Sequence, residues 1–254
     1  MNEVVQTMLN HRSIRQYTNE PIKSADVDII IKAAQAAPSS INGQQVTIIA
    51  VQDEMKKAKL AELCGNQAWI DQAPIFLIFC ADFYRSKLAA EKMNKDQIIT
   101  ESIESVIVGA TDVGIAMSNA ITAAESLKLG TVPIGGVRNQ PHELIELLNI
   151  PNYVFPVCGL VIGHSADPSD IKPRFPKEAV YHEEAYNKNL RSFLDQYDET
   201  ISEYMKQRTD NEQNHGWSEM VTFWYEKSYY PEVYSMLLKQ GFSMKEESNK
   251  KKMK

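Results

Sequence analysis

Cysteine is scarce in this chain of 254 residues: Cys64, Cys80 and Cys158 are all there is. They lie far apart, form no C-x-x-C pair and are odd in number. That argues against a disulfide framework and fits a reducing cytoplasm. Long apolar runs are missing as well. No stretch reaches the roughly 18 consecutive apolar residues of a membrane helix. The N-terminus, MNEVVQTMLNHRSIR, has an acid at position 3 and no apolar core run, so no secretory signal is expected. An excess of positive charge is absent too. Twenty-seven Lys and Arg face 33 Asp and Glu, for a net charge of −6. This disfavours a general nucleic-acid or anionic-membrane binder and leaves room for a local phosphate site. The chain has no G-x-G-x-x-G, no G-x-x-x-x-G-K-[ST], no G-x-S-x-G and no H-E-x-x-H. His11, His142, His164, His182 and His215 show no metal-ligand spacing among themselves or with the cysteines, and no metal is expected.

The composition is that of an ordinary globular chain, 43% hydrophobic and 24% charged. The length allows one large domain, or one domain plus an extension. Composition alone suggests an intracellular α/β protein. Val4, Val5, Met8 and Leu9 give a short helix over 1–10. Ser24 is a good N-cap for a helix over 25–36 that Pro38 stops. VTIIAV (46–51) and PIFLIFCA (74–81) predict buried strands, and 53–63 predicts a surface helix ending before Gly65. Apolar residues recur at steps of three and four over 96–129, with small residues interleaved. That predicts a central or interface helix of more than 30 residues, stopped by Gly130. TVPIGG (131–136) reads as a strand entering a glycine turn, 141–148 as a short helix and 154–162 as a strand. DIKPRFP (170–176) is basic and extended. From 186 the chain turns helical, polar and rich in scattered aromatics, which predicts an extension that wraps the body or a partner subunit.

Four short polar segments could carry chemistry. His11, Arg12, Ser13 and Arg15 fall within five residues. In an extended strand Ser13 and Arg15 share a face with His11. Arginine forks and a hydroxyl suit a phosphate monoester, although on spacing alone a solvated basic loop is the simpler explanation. SSINGQQ (39–45) offers hydroxyls and carboxamides to a heterocycle edge, or is a plain loop of turn formers. Gly135-Gly136 lets the backbone approach a flat ligand, or is only a tight turn. Lys172 and Arg174 add cations on a rigid segment, or make surface salt bridges. Together the segments are what a cofactor with a phosphate tail and a neutral ring requires.

HRSIRQYTNEPI, APSSINGQQ, GNQAWIDQAP, FCADF, AAESLKLGTVPIGGVRN and IKPRFP occur in this order. With these blocks the chain resembles the flavin-dependent nitroreductase superfamily, in its NADPH nitroreductase and flavin reductase P branch. The resemblance covers nearly the whole chain. It implies an α+β fold with a mixed, mostly antiparallel sheet flanked by helices, and a long central helix. It implies a homodimer with FMN at the interface and a C-terminal extension embracing the partner. Residues 1–185 would form the FMN-binding core and 186–254 the helical extension, its last ten or so residues frayed. His11, Arg12, Ser13 and Arg15 resemble contacts to the FMN phosphate and ribityl chain. Ser39, Ser40 and Asn42 fall in a loop that reaches the cofactor of the other subunit. Gln67 matches a partner of the isoalloxazine edge, and Pro133, Ile134, Gly135 and Gly136 the segment under the ring. Lys172 and Arg174 match basic positions near the phosphate and the nicotinamide substrate, and Arg208 an arginine of NADPH recognition. NADPH-specific members are more basic after that arginine, whereas 209–216 reads TDNEQNHG here and 229–231 reads YYP. Use of both NADH and NADPH is therefore expected. The implied activity is ping-pong reduction of free flavin, nitroaromatics or quinones. FMN does the chemistry, and no residue of the chain is assigned as catalytic. A flavin-binding redox sensor without turnover is the alternative.

Overall fold

The most apolar segment becomes the strand β2 (Ile75–Asp82), and all of its residues are buried. This is a computed structural model, which describes residues 1–166 and 169–245. β1 (Val46–Val51), β2, β3 (Gly130–Ile134) and β4 (Val154–Gly163) form one sheet in the order β1-β2-β4-β3. All three strand pairs are antiparallel. Among the described residues parallel pairing occurs at one bridge, Ser13 to Thr131 on the outer edge of β3. The sheet is thus mixed only at its margin, and the class is α+β. The helices are α1 (Glu3–Leu9), α2 (Ser24–Gln35), α3 (Glu54–Leu63), α4 (Ala68–Gln72), α5 (Tyr84–Lys92), α6 (Glu104–Ser126), α7 (Pro141–Leu147), α8 (Arg191–Arg208), α9 (Trp217–Tyr225) and α10 (Val233–Lys239).

Side chains on β2 alternate between two cores, as the period of two in a strand requires. Phe76, Ile78 and Cys80 pack with Ile14, Leu60, Ile134 and Val161. Ile75, Leu77, Phe79 and Ala81 pack with Ile30, Val113, Ala116, Phe155 and Phe242. Both faces being covered explains why the run shows no polar alternation. β1 differs from expectation: it is an edge strand, half-buried along most of its length.

The central helix is shorter than its periodicity suggests, 23 residues rather than more than 30. Ser102 is extended and its Oγ accepts the Glu104 N–H at 3.2 Å, which cuts the helix from the 3₁₀ turn Ile99–Glu101. At the other end the left-handed residue is Lys128 (φ 65°), not Gly130. Leu129 N–H bonds to Ala124 O and Lys128 N–H to Glu125 O, both at 3.0 Å, the 6→1 and 5→2 pattern of a helix stop. Gly130 opens β3 instead, because a Cβ there would lie 2.7 Å from Ile14 Cγ1. The small residues of α6 act as expected. Ala116, Ala120 and Ala124 are buried, and a Cβ on Gly109 would sit 2.8 Å from that of Ala81. By length and composition α6 could cross a membrane (mean hydropathy 1.4), but here its buried face packs into the core beside β2. Ser24 also departs from expectation. It is the first helical residue of α2, and Lys23 precedes it with no side-chain cap.

The chain forms two compact units. One holds Met1–Ser169 and the chain from Tyr230; the other is Asp170–Tyr229. In the second unit Phe175 lies 3.9 Å from the Tyr197 ring and 4.9 Å from that of Trp217, and Tyr197 Oη donates to Pro173 O at 2.8 Å. Residues 173–175 therefore belong with α8 and α9. In the first unit Met236, Leu237 and Phe242 enter the core, Phe242 edge-on to Phe155 at 5.0 Å. Nearly all of the C-terminal end expected to fray lies outside the described residues.

Candidate functional site

The first unit gathers most of the expected residues around β3. Ile14 N–H donates to Thr131 O at 2.9 Å, and Tyr17 Oη donates to Ile14 O at 2.7 Å. This pins the basic segment beside β3, where Ser13 forms an isolated bridge to Thr131. Ile14 turns inward, while Ser13 and Arg15 point the other way, as alternation predicts. His11 Nδ1 lies 2.6 Å from Glu125 Oε1. The Arg15 guanidinium sits 5.7 Å from the centre of the Trp69 ring. Among the described residues neither Arg12 nor Arg15 makes a hydrogen bond or an ion pair. Both guanidiniums keep their donors available.

Gln67 and Gly136 meet at the far end of β3. Gln67 Nε2 donates to Cys64 O at 2.7 Å. A Cβ on Gly136 would fall 2.3 Å from Cys64 O and 2.6 Å from Gln67 Nε2. Glycine is thus required at 136 for a close approach within the chain itself. At Gly135 a Cβ would meet Tyr230 Oη at 3.1 Å and Arg138 Nη2 at 3.2 Å. Neither glycine has a positive φ. Pro133 pairs with Leu160 across the sheet, half-buried, and Ile134 is buried. Trp69 Nε1 is buried and has no hydrogen-bond partner. Buried Lys57 holds this corner, donating to Asp71 O at 3.0 Å and Ala73 O at 2.5 Å.

The loop 39–45 stands at the opposite edge of the sheet, before β1, and within one chain does not join this cluster. Three of its non-glycine residues have a positive φ: Ile41 at 48°, Asn42 at 55° and Gln44 at 49°. A β-branched residue in that region is strained, and Ile41 is also 97% exposed. The loop is held from both sides. Ser40 N–H donates to both oxygens of Asp112, and Ser39 Oγ accepts from Gln44 N–H at 3.0 Å. Arg85 Nη2 donates to Gln44 O at 2.6 Å. Burial pushes the Asp112 carboxyl above its ordinary range, and the Ser40 N–H pulls the other way.

The remaining expected residues lie in the second unit. Lys172 and Arg174 flank Pro173 in an extended segment, Lys172 half-buried and Arg174 exposed. Arg208 ends α8, with Nη1 3.4 Å from Tyr204 Oη. No thiol chemistry competes for the site. Burial pushes Cys64 up to about 12 and raises Cys80 and Cys158 as well, so all three stay protonated at neutral pH. Among the described residues no His, Cys, Asp and Glu cluster could hold a metal.

Several residues here have no signature in the sequence: Glu125 against His11, Trp69 under Arg15, Lys57 on the carbonyls of Asp71 and Ala73, and Arg138 with Tyr230 beside Gly135. Arg138 stacks 5.0 Å over the Tyr230 ring and donates to Val157 O. Each pairing spans a long stretch of chain, so no local spacing reveals it.

Comparison with known proteins covers both units. The nitroreductase family profile matches residues 8–164, and that of the nitroreductase family C-terminal domain residues 172–245. The chain is 56% identical over 247 residues to a protein of Bacillus subtilis named FMN reductase [NAD(P)H], covering 96% of this chain and 99% of that one. It is 41% identical over 225 residues to another from the same organism named FMN reductase (NADPH), covering 87% and 90%. The solved structure of B. megaterium NfrA2 superposes with a TM-score of 0.96 at 57% identity, covering 97% of this chain and 100% of that one.

Proposed function

The chain belongs to the nitroreductase family, and from that membership we propose that it is an NAD(P)H-dependent oxidoreductase carrying FMN, which reduces free flavin, nitroaromatics and quinones. The observation that carries this reading is the donor set along β3. Ser13 is bridged to Thr131 between Arg12 and Arg15, Gln67 lies against Gly136, and Trp69, stacked under Arg15, has its Nε1 buried without an acceptor. Guanidiniums and a hydroxyl suit a phosphate tail, and an indole N–H with a carboxamide suits the polar edge of a planar ring. FMN fits this set. When bound it supplies two-electron chemistry between the nicotinamide coenzyme and the acceptor.

The chain's own residues bind and orient. Arg12 and Arg15 take phosphate oxygens, and Ser13 and His11 the adjoining hydroxyls. Gln67 addresses the ring edge, and the Pro133–Gly136 segment supports the ring face. Lys172, Arg174 and Arg208 serve the phosphates and the coenzyme. The protein acts as a homodimer. Met8 and Leu9 on α1, Ile103 just before α6 and Ile107 on it are exposed apolar residues that a second copy covers. That copy also delivers Ser39, Ser40 and Asn42 on their strained loop, and its segment from residue 186 embraces the first. The setting is cytoplasmic. Both NADH and NADPH serve as donors, since Arg208 is followed by acidic and neutral residues.

Steady-state rates of NADH and NADPH oxidation with FMN as acceptor test this directly. Coenzyme and acceptor use one place in turn, so initial-rate plots should be parallel for either coenzyme. Intersecting lines would overturn the shared site. Bound flavin with no turnover would replace the enzyme by a flavin-binding sensor.

A further inference from the structure

Glu125 occupies the last turn of α6, where the carbonyl end of the helix disfavours a carboxylate, yet its side chain is only 13% exposed. Two donors converge on one of its oxygens. His11 Nδ1 lies 2.6 Å from Oε1, and Thr131 Oγ1 donates to the same atom at 2.8 Å. A carboxylate accepts only, so the ring proton sits on Nδ1 and Nε2 is left for another partner. Thr131 is also the residue that bridges Ser13 and accepts the Ile14 N–H. Arg12 and Lys128 line the same groove as Glu125, but among the described residues His11 is its one ion-pair partner. The carboxylate is therefore committed to the imidazole and to the strand that carries the basic segment.

We propose that Glu125 is a positioning residue for the flavin tail: it fixes the ring orientation and Nδ1 proton of His11, so that Nε2 is presented together with Ser13 and Arg15 to the phosphate and ribityl groups of FMN. This rests on the flavin reading above and adds a residue that touches no ligand. Its effect is transmitted through His11, which separates it from a general contribution to folding.

The test measures FMN dissociation from the full-length protein, together with the side-chain ¹H–¹⁵N spectrum of His11. Glu125→Ala should weaken FMN binding by about tenfold or more, the lower end for a lost charge-assisted hydrogen bond. Glu125→Gln keeps an acceptor of the same reach and should stay within about threefold of the wild type, with the Nδ1 proton signal retained. Glu125→Asp keeps the charge but withdraws it by one methylene, and should bind FMN about as weakly as Glu125→Ala. This variant decides the matter if the alanine variant does not fold. In a His11→Ala background, Glu125→Ala should add less than about twofold, because a residue acting through another is not additive with it. Wild-type FMN affinity in Glu125→Asp, or full additivity with His11→Ala, would overturn the proposal. Wild-type protein that takes up no FMN would instead sink the flavin reading itself.

Discussion

Arg15 offers the sharpest separation of binding from folding. Its backbone is held independently of its side chain, by Ile14 N–H to Thr131 O at 2.9 Å and Tyr17 Oη to Ile14 O at 2.7 Å. The guanidinium itself contributes only a stacking contact, 5.7 Å from the Trp69 ring, at an exposed site. Such contacts are worth about 0.5–1 kcal/mol. Arg15→Ala should therefore lower the stability of the apoprotein by no more than about 1 kcal/mol in urea unfolding. Its effect on FMN should be larger, because a hydrogen bond to a charged group is worth about 1.5–3 kcal/mol. At about 1.4 kcal/mol per decade, the FMN dissociation constant should rise between about tenfold and 150-fold. Arg15→Lys should recover part of this, since an ammonium binds phosphate as a point charge without the fork. Fluorescence quenching on FMN titration reads the constant. An unchanged constant would refute the placement of the phosphate here, whatever the loss in stability.

Arg208→Ala should lower kcat/KM for NADPH by about tenfold more than for NADH, the scale of one charge-assisted contact; equal losses would remove it from coenzyme recognition. Lys57→Met leaves two carbonyls without their donor and should cost about 2–4 kcal/mol in urea unfolding, with less than about 1 contradicting the buried-anchor argument. Asp112 has a raised carboxyl in the native state, so its ionised form costs stability above that range and nothing below the ordinary carboxylate value. Asp112→Asn should accordingly be more stable than the wild type at pH 7 to 8, with the gap closing as pH falls toward 4; a gap that widens on acidification would reverse the sign.

The sequence revealed elements whose signal is local. β2 showed as a run with no polar alternation, and the two-core packing of Phe76 and Phe79 explains that absence. The ends of the central helix did not show, because periodicity continues through Ile99 and Ile103 while Ser102 interrupts the backbone. A lysine in the left-handed region at 128 leaves no glycine to mark the stop, and Gly130 answers to Ile14 instead. Among the candidate site residues, the basic segment was legible as a short motif, and Gln67 only through the family resemblance. Glu125, Trp69, Lys57 and Arg138 were not, since their partners lie well outside their own local segments and meet them only in the folded chain. The strain in Ile41 is likewise invisible, as nothing about isoleucine announces a positive φ.

β3 and the basic segment beside it should form a seat for a reducible flavin. Anaerobic titration of the purified protein with NADH and with NADPH, followed near the flavin band at about 450 nm, addresses it most directly. The protein should be yellow, bleach with either coenzyme and regain its colour on adding a nitroaromatic or free flavin. A colourless protein that takes up no FMN would contradict it.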